Sequence, residues 1–142
     1  MTFSIVAWLP ETGELGVGVA TCKPAIGGRV PFVRADAGAV ASQAVSNPWL
    51  GSTALELLGR GRPAEAALQE ALAIDPTPNV RQVHLLDTTG RTAAWTGDYS
   101  RDWKGHLVGE GFCVAGNALA ILALYRADRL VNPRPRSAYL KE

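Results

Sequence analysis

Thr2 is the residue whose type and position first suggest chemistry. It directly follows Met1, and methionine aminopeptidase removes an initiating methionine efficiently when the next side chain is small. Removal would leave a threonine with a hydroxyl nucleophile and a free α-amine, whose reference pKa of about 7.7–8.0 suits a general base. The alternative is that Thr2 is an ordinary strand edge, and the residues alone favour that alternative. The sequence therefore offers a nucleophile and its base in one residue.

Polar side chains interrupt two otherwise apolar, strand-like stretches. Ser42 and Gln43 lie in "ASQA", and Asn117 lies in "GN" after an apolar run. A buried hydroxyl or amide needs a hydrogen-bond partner. That partner is either the backbone or a bound substrate, and the sequence leaves both alternatives open. The three residues are therefore candidates for substrate binding or for stabilising an oxyanion.

His106 is a second candidate base, in "WKGHLVGEG". It lies among glycines and near Trp103, so it is either a general base or a half-exposed loop histidine. The second interpretation is favoured because no serine or cysteine nucleophile in an elbow-like context accompanies it.

The two cysteines, Cys22 and Cys113, stand among small or apolar residues. We predict two buried free thiols rather than a disulfide framework. With His84 and His106 they give no close zinc-ligand spacing. The stretch "GELGVGV" lacks the helix and the lysine of a phosphate-binding loop. The sequence therefore predicts neither a metal site nor a cofactor.

Composition narrows the class of protein. The 142 residues are 47% hydrophobic and 19% charged, which is enough for one domain with one packed interior. A net charge of +1 favours neither nucleic acid nor a membrane surface as a partner. The longest apolar stretch is shorter than the roughly 18 residues of a spanning helix, and strand-like residues directly after Met1 leave no room for a leader peptide. We therefore expect a cytoplasmic protein.

The first third of the chain is typical of strands. "TFSIVAWL" is rich in aromatic and β-branched residues, "PETGE" supplies a turn, and "LGVGVATC" alternates small and apolar side chains, which together predict a hairpin. Gly16 and Gly18 in the second strand suggest the close approach of another layer. Two further strands are predicted in "GGRVPFVRADAGAVASQAV", around a turn at Asp36.

The remainder contains a helix pair, more strands and a last helix. Asn47 is a candidate N-cap with Pro48 at the first helical position, and a second helix runs from Pro63 to a stop before Pro76. "VRQVHLLD" and "RTAAWTG" predict a hairpin, "GFCVAGN" a strand and "ALAILALYRADRL" a buried helix. Hairpins, rather than single strands alternating with helices, indicate an antiparallel α+β sandwich.

Several separated motifs resemble one family. "TFSIVAW" with "PETGELGVGVAT", then "AGAVASQAVSNPWLG", "VRQVHLLDTTGRTAAWTG" and "GHLVGEGFCVAGNALA" are similar, in this order, to the domain-of-unknown-function family DUF1028. That family is grouped with the N-terminal-nucleophile (Ntn) amide hydrolases. The resemblance implies a four-layer αββα sandwich, with Thr2 at the mouth of a cleft between the sheets. It further implies hydrolysis of an amide bond in a small molecule or a peptide.

The Ntn pattern also implies a basic residue beside the nucleophile. Lys23, at the end of the second predicted strand, is the best-placed candidate to lower the pKa of the amine. Arg29 is the next candidate, although a solvated charge is the favoured interpretation there. The rival function is a non-catalytic binding or assembly module that keeps the fold without using the nucleophile.

Family members are typically longer than this chain. The resemblance therefore implies a second sheet truncated towards the C-terminus. Two prolines and several basic residues near the end of the chain predict a surface tail over 132–142, after a domain over residues 1–131. A truncated sandwich leaves an open edge or an apolar face. On that basis a homo-oligomer is expected, most simply a dimer.

Overall fold

A computed structural model of the chain describes residues 1–100 and 103–118. Within these residues the chain forms eight strands and two α-helices. They are β1 (Thr2–Leu9), β2 (Glu14–Thr21), β3 (Pro31–Arg34), β4 (Gly38–Ala44), α1 (Pro48–Gly59), α2 (Ala64–Ala73), β5 (Arg81–Asp87), β6 (Thr92–Thr96), β7 (Gly105–Gly109) and β8 (Phe112–Asn117). The predicted α+β class is confirmed.

The strands form two antiparallel sheets of four. The strand order is β2-β1-β8-β7 in the first sheet and β3-β4-β5-β6 in the second. Burial alternates along β1, where Thr2, Ser4 and Val6 are buried and the residues between them are less so. Because successive side chains of a strand point to opposite faces, these three residues share the face of β1 that meets the second sheet. Thr2 is therefore the first inward-facing residue of a central strand.

The helix pair forms where the residue types predict it. The Asn47 side chain accepts a hydrogen bond from the backbone N–H of Trp49 at 3.1 Å, and Pro48 occupies the first helical position. An N-cap of this kind stabilises a helix by about 1 kcal/mol. Both helices bury an apolar face and pack together on the outer face of the second sheet.

Two clusters of buried residues hold the layers together. The first, between the helices and the second sheet, contains Ala37, Val40, Leu50, Ala54, Leu58, Ala64, Ala67, Leu68, Ala71, Leu72, Val83, Leu85 and Ala93. The second, between the two sheets, contains Val6, Val30, Ala39, Ala41, Leu86 and Cys113. The smaller cluster occupies only part of the space between the sheets. The rest of that space holds polar side chains.

Two expectations from the sequence are corrected. His106 lies on strand β7 and not in a loop, because pairing with β8 organises its segment. Cys22 is exposed rather than buried, since it follows the end of β2, whereas Cys113 is buried and both thiols are free. Among the described residues a side chain at Gly16 would meet nothing within 4 Å and one at Gly18 would meet Ile5 of the neighbouring strand, so the approach of another layer stays a prediction.

The predicted last helix, over 118–130, lies outside the described residues except for Ala118. The same holds for the tail over 132–142. In the part of the chain that the structure describes, no helix is long and apolar enough to cross a membrane.

Candidate active site

Thr2 lies where two neighbouring cavities meet. The larger has a volume of about 430 Å³ and is also lined by Arg29 and Gln43. The smaller has a volume of about 110 Å³ and is also lined by Asn117. Thr2, Lys23 and Ala44 line both. With 8% of its surface exposed, Thr2 is accessible mainly through these cavities.

The Thr2 hydroxyl is oriented by a second threonine. In the β1–β2 hairpin Thr2 pairs with Thr21, and their Oγ1 atoms are 3.1 Å apart. The Thr21 hydroxyl donates to the Met1 carbonyl at 2.9 Å. Because a hydroxyl has one hydrogen, the Thr2 hydroxyl must be the donor of the pair. Removal of Met1 would release the Thr21 hydrogen, which could then be donated to Thr2.

Lys23 follows Thr21 by two residues. Its backbone N–H donates to Thr21 Oγ1 at 3.3 Å, so Thr21 ties Thr2 to the start of the segment that carries the lysine. Among the described residues no hydrogen bond joins the Lys23 side chain to Thr2 itself. The structure therefore brings the nucleophile and the predicted cation to the same two cavities without a direct bond.

A buried amide, Gln82, joins the two sheets behind the cavities. Its Nε2 donates to the carbonyl oxygens of Gly105 and Gly116, each at 2.9 Å. A backbone carbonyl can only accept, so these contacts fix which end of the amide is Nε2. The Oε1 atom accepts from Gln43 Nε2 at 2.8 Å and from Asn117 Nδ2 at 3.2 Å. Gln82 therefore holds one wall residue of each cavity.

The same reasoning continues to His84. Since Gln43 Nε2 faces Gln82, Gln43 Oε1 faces Ser4, whose hydroxyl donates to it at 2.6 Å. Ser4 Oγ then accepts from His84 Nε2 at 2.7 Å. This fixes the tautomer with hydrogen on Nε2, and Nδ1 makes no hydrogen bond of acceptable geometry within the described part of the chain, although the Cys113 backbone lies near the ring.

Burial strongly favours the neutral form of His84. The ring is fully enclosed, and this lowers its pKa from 6.5 to about 3. His84 is therefore a neutral hydrogen-bonding residue at physiological pH. It supports Ser4 and Gln43 and does not itself line either cavity.

Comparison with known protein families identifies the chain. The pattern that defines the family of unknown function DUF1028 matches residues 2–127. The chain belongs to the DUF1028 family. A solved structure of another member, protein SPO2555 from Silicibacter pomeroyi, matches with a TM-score of 0.84 and 31% sequence identity. That match covers 95% of this chain but only 61% of the other. A search of functionally curated proteins finds no match.

The structure separates the three polar candidates of this DUF1028 chain. Gln43 lines the larger cavity and Asn117 the smaller, where Asn117 is the strand partner of Thr2. Ser42 is on the opposite face of β4, where its hydroxyl donates to the backbone carbonyl of Asn47 at 3.1 Å. The structure therefore does not bring Ser42 to the cavities, and its role in binding stays a prediction.

His106 is connected to the buried Gln82 network through Thr96 and not through Thr2. Its Nδ1 is 2.8 Å from Thr96 Oγ1, and that oxygen is 3.0 Å from Gln82 Nε2. Partial burial lowers the pKa of His106. Neither cavity is lined by it.

Sequence reasoning missed several residues of this DUF1028 site. The pairing of Thr21 with Thr2 follows from a hairpin closed by a four-residue turn, so counting back from that turn would have found it. Ala44 carries a signal only in the structure, where its φ of 71° is unusual for a residue with a side chain. Gln82 and His84 gave no signal, because their partners are distant in the sequence.

Metal ligands do not assemble at the site. Within residues 1–100 and 103–118, no three side chains of His, Cys, Asp or Glu come together to hold an ion.

Proposed function

We propose that this protein is an N-terminal-nucleophile hydrolase that cleaves an amide bond of a small molecule or a peptide, with Thr2 as the nucleophile. The observation that carries the proposal is the position of Thr2 at the junction of two cavities, as the first residue of the central strand β1. Two facing antiparallel sheets with a helix pair outside are consistent with an Ntn-like sandwich, and they leave a cleft at this end of β1.

The proposed reaction begins after Met1 has been removed. The free α-amine of Thr2 takes the hydroxyl proton, directly or through a water, as Oγ1 forms a bond to the amide carbon of the substrate. The amine then returns the proton to the leaving nitrogen as the C–N bond breaks. A water hydrolyses the resulting ester on Thr2 and regenerates the hydroxyl. No external oxidant or reductant is needed.

Two neighbours support this step. The Lys23 ammonium, at the edge of both cavities, would favour the neutral form of the amine and attract the developing oxyanion. Asn117 Nδ2 gives one hydrogen to Gln82, which leaves its second for the oxyanion in the smaller cavity. Gln43 accepts from Ser4 and gives one Nε2 hydrogen to Gln82, so its second amide hydrogen is available to a ligand in the larger cavity.

The experiment compares wild type with Thr2→Ala and Thr2→Ser, after intact mass has established that Met1 is absent. An amide library and a trapped acyl adduct on the N-terminal peptide are the two readouts. Thr2→Ala should lose at least about 1,000-fold in turnover, since the nucleophile and its base act as one unit, and Thr2→Ser should retain measurable activity. Thr12→Ala, at the exposed hairpin turn, is the matched control.

Equal turnover by Thr2→Ala and wild type would refute the proposal. So would a retained Met1 in protein purified from its natural host, because the nitrogen would then be an amide without basicity. Either result would favour the alternative of a binding or assembly module that uses the same fold.

A further inference from the structure

The larger cavity has an unbalanced positive charge. Lys23 and Arg29 line it, and no aspartate or glutamate among the described residues does so. The remaining lining is mostly apolar or neutral, including Ile26, Val30 and Gln43. Two cations beside low-dielectric walls attract an anion more strongly than they would on an open surface.

These two side chains differ from the other basic residues that the structure describes. Ion pairs or carbonyl contacts within the chain engage Arg34, Arg60, Arg62, Arg81, Arg91 and Lys104. The described part of the chain provides no side-chain hydrogen bond or ion pair to Lys23 or Arg29. Among the described residues, the two cations whose side chains have no acceptor are therefore the two that line the cavity.

The backbone places Arg29 firmly although its side chain is exposed. Its N–H and that of Val30 both donate to the carbonyl of Ile26, at 2.9 and 3.1 Å. Val30 itself is buried at 1% exposure and anchors the turn in the inter-sheet core. The guanidinium thus starts from a fixed point on the cavity wall, which reduces the entropy lost when it binds a ligand.

The residues that line each cavity indicate where the anionic end of a ligand would lie. Arg29 lines only the larger cavity, whereas Lys23 lines both beside Thr2. An anion paired with the Arg29 guanidinium therefore lies on the larger side.

We propose that the larger cavity binds a carboxylate, held by the Arg29 guanidinium, so that the substrate is an amide whose carboxylate-bearing portion lies on that side. A planar guanidinium binds a carboxylate through two parallel hydrogen bonds. The identity of the reacting bond rests on the proposed function. The carboxylate site itself does not.

Binding is measured with glutarate as the probe and with glutaramide, its uncharged diamide, as the matched ligand. Wild-type protein should bind glutarate at least about 10-fold more tightly than glutaramide, because hydrogen bonds to charged groups are the stronger ones. Arg29→Gln should weaken glutarate binding about 10- to 100-fold, and Arg29→Lys should weaken it less. Arg60→Gln is the control and should bind as wild type, because Arg60 follows the end of α1, is exposed and lines neither cavity.

Equal binding of glutarate by wild type and Arg29→Gln would overturn the proposal, as would equal affinity for the two ligands. Thermal midpoints of the variants verify that each is folded. The glutarate titration with Thr2→Ala and the amide-hydrolysis assay of wild type separate the two hypotheses. If Thr2→Ala binds glutarate but wild type hydrolyses no amide, the hydrolase proposal is refuted and the carboxylate site stands. Hydrolysis of neutral amides with no preference for anions does the reverse.

Discussion

Replacing Gln82 by leucine tests the buried network that supports both cavity walls. Leucine has a similar size, so the change removes hydrogen bonds without opening a large cavity. It would leave Gln43 Nε2 and Asn117 Nδ2 without their acceptor, and both residues are at most 3% exposed. A buried donor without a partner costs about 1–3 kcal/mol. The expected loss of unfolding free energy is therefore about 2–6 kcal/mol, a large part of the 5–15 kcal/mol typical of a domain.

Urea unfolding followed by fluorescence measures this loss. With a slope of about 1.5 kcal/mol per molar, a loss of about 3 kcal/mol lowers the midpoint by about 2 M. Gln69→Leu is the control, because Gln69 is exposed on α2 and bonds only Glu65 of the same helix. Its unfolding free energy should stay within about 0.5 kcal/mol of that of wild type. If Gln82→Leu also stays within that range, the network does not stabilise the fold and the argument from buried donors fails.

Three further perturbations test other contacts. Stability should fall by about 1.4 kcal/mol per pH unit as the pH drops from 6.5 towards 4.5, because burial lowers the folded-state pKa of His84 to about 3 and only the unfolded chain then binds the proton. Urea titrations across that range should show a flatter profile for His84→Leu, and an identical profile would contradict the reasoning. Asp75→Ala should cost about 3–5 kcal/mol by leaving a nearly buried arginine unpaired, whereas Asp36→Ala, in an exposed pair, should cost at most about 1 kcal/mol. Gly51→Ala should lower the thermal midpoint despite the higher helix propensity of alanine, because its Cβ would enter the ring of Phe32, and a raised midpoint would show that the contact is loose.

Much of the fold could be predicted from the sequence because its signals are local. The cap at Asn47, the proline after it and the glycine at 90 each act within a few residues of themselves. Strand β7 could not be predicted this way. It is five residues long and has glycine at both ends, so its strand conformation depends on pairing with β8 and not on its own propensity.

The candidate site was only partly predictable for the same reason. Thr2 and Lys23 were identified from the sequence, and the structure places both at the two cavities. Ser42 and Gln43 looked equivalent, yet neighbouring residues of a strand face opposite sides. Because β4 is buried on both faces, its sequence does not alternate between polar and apolar residues, and it does not indicate which face meets the cleft.

The sequence by itself determined the helix ends and the hairpin turns, since each depends on backbone preferences within a few residues. It also shows directly that a threonine follows the first residue. Only the tertiary structure decided what surrounds that threonine. Ser4 and His84 are 80 residues apart and their side chains are 2.7 Å apart. Arg29 gains significance only because folding places it at a cavity and gives the described basic side chains other than Lys23 and Arg29 partners elsewhere. Contacts of this kind arise from the packing of two sheets, and no local pattern of residues records which side chains will meet.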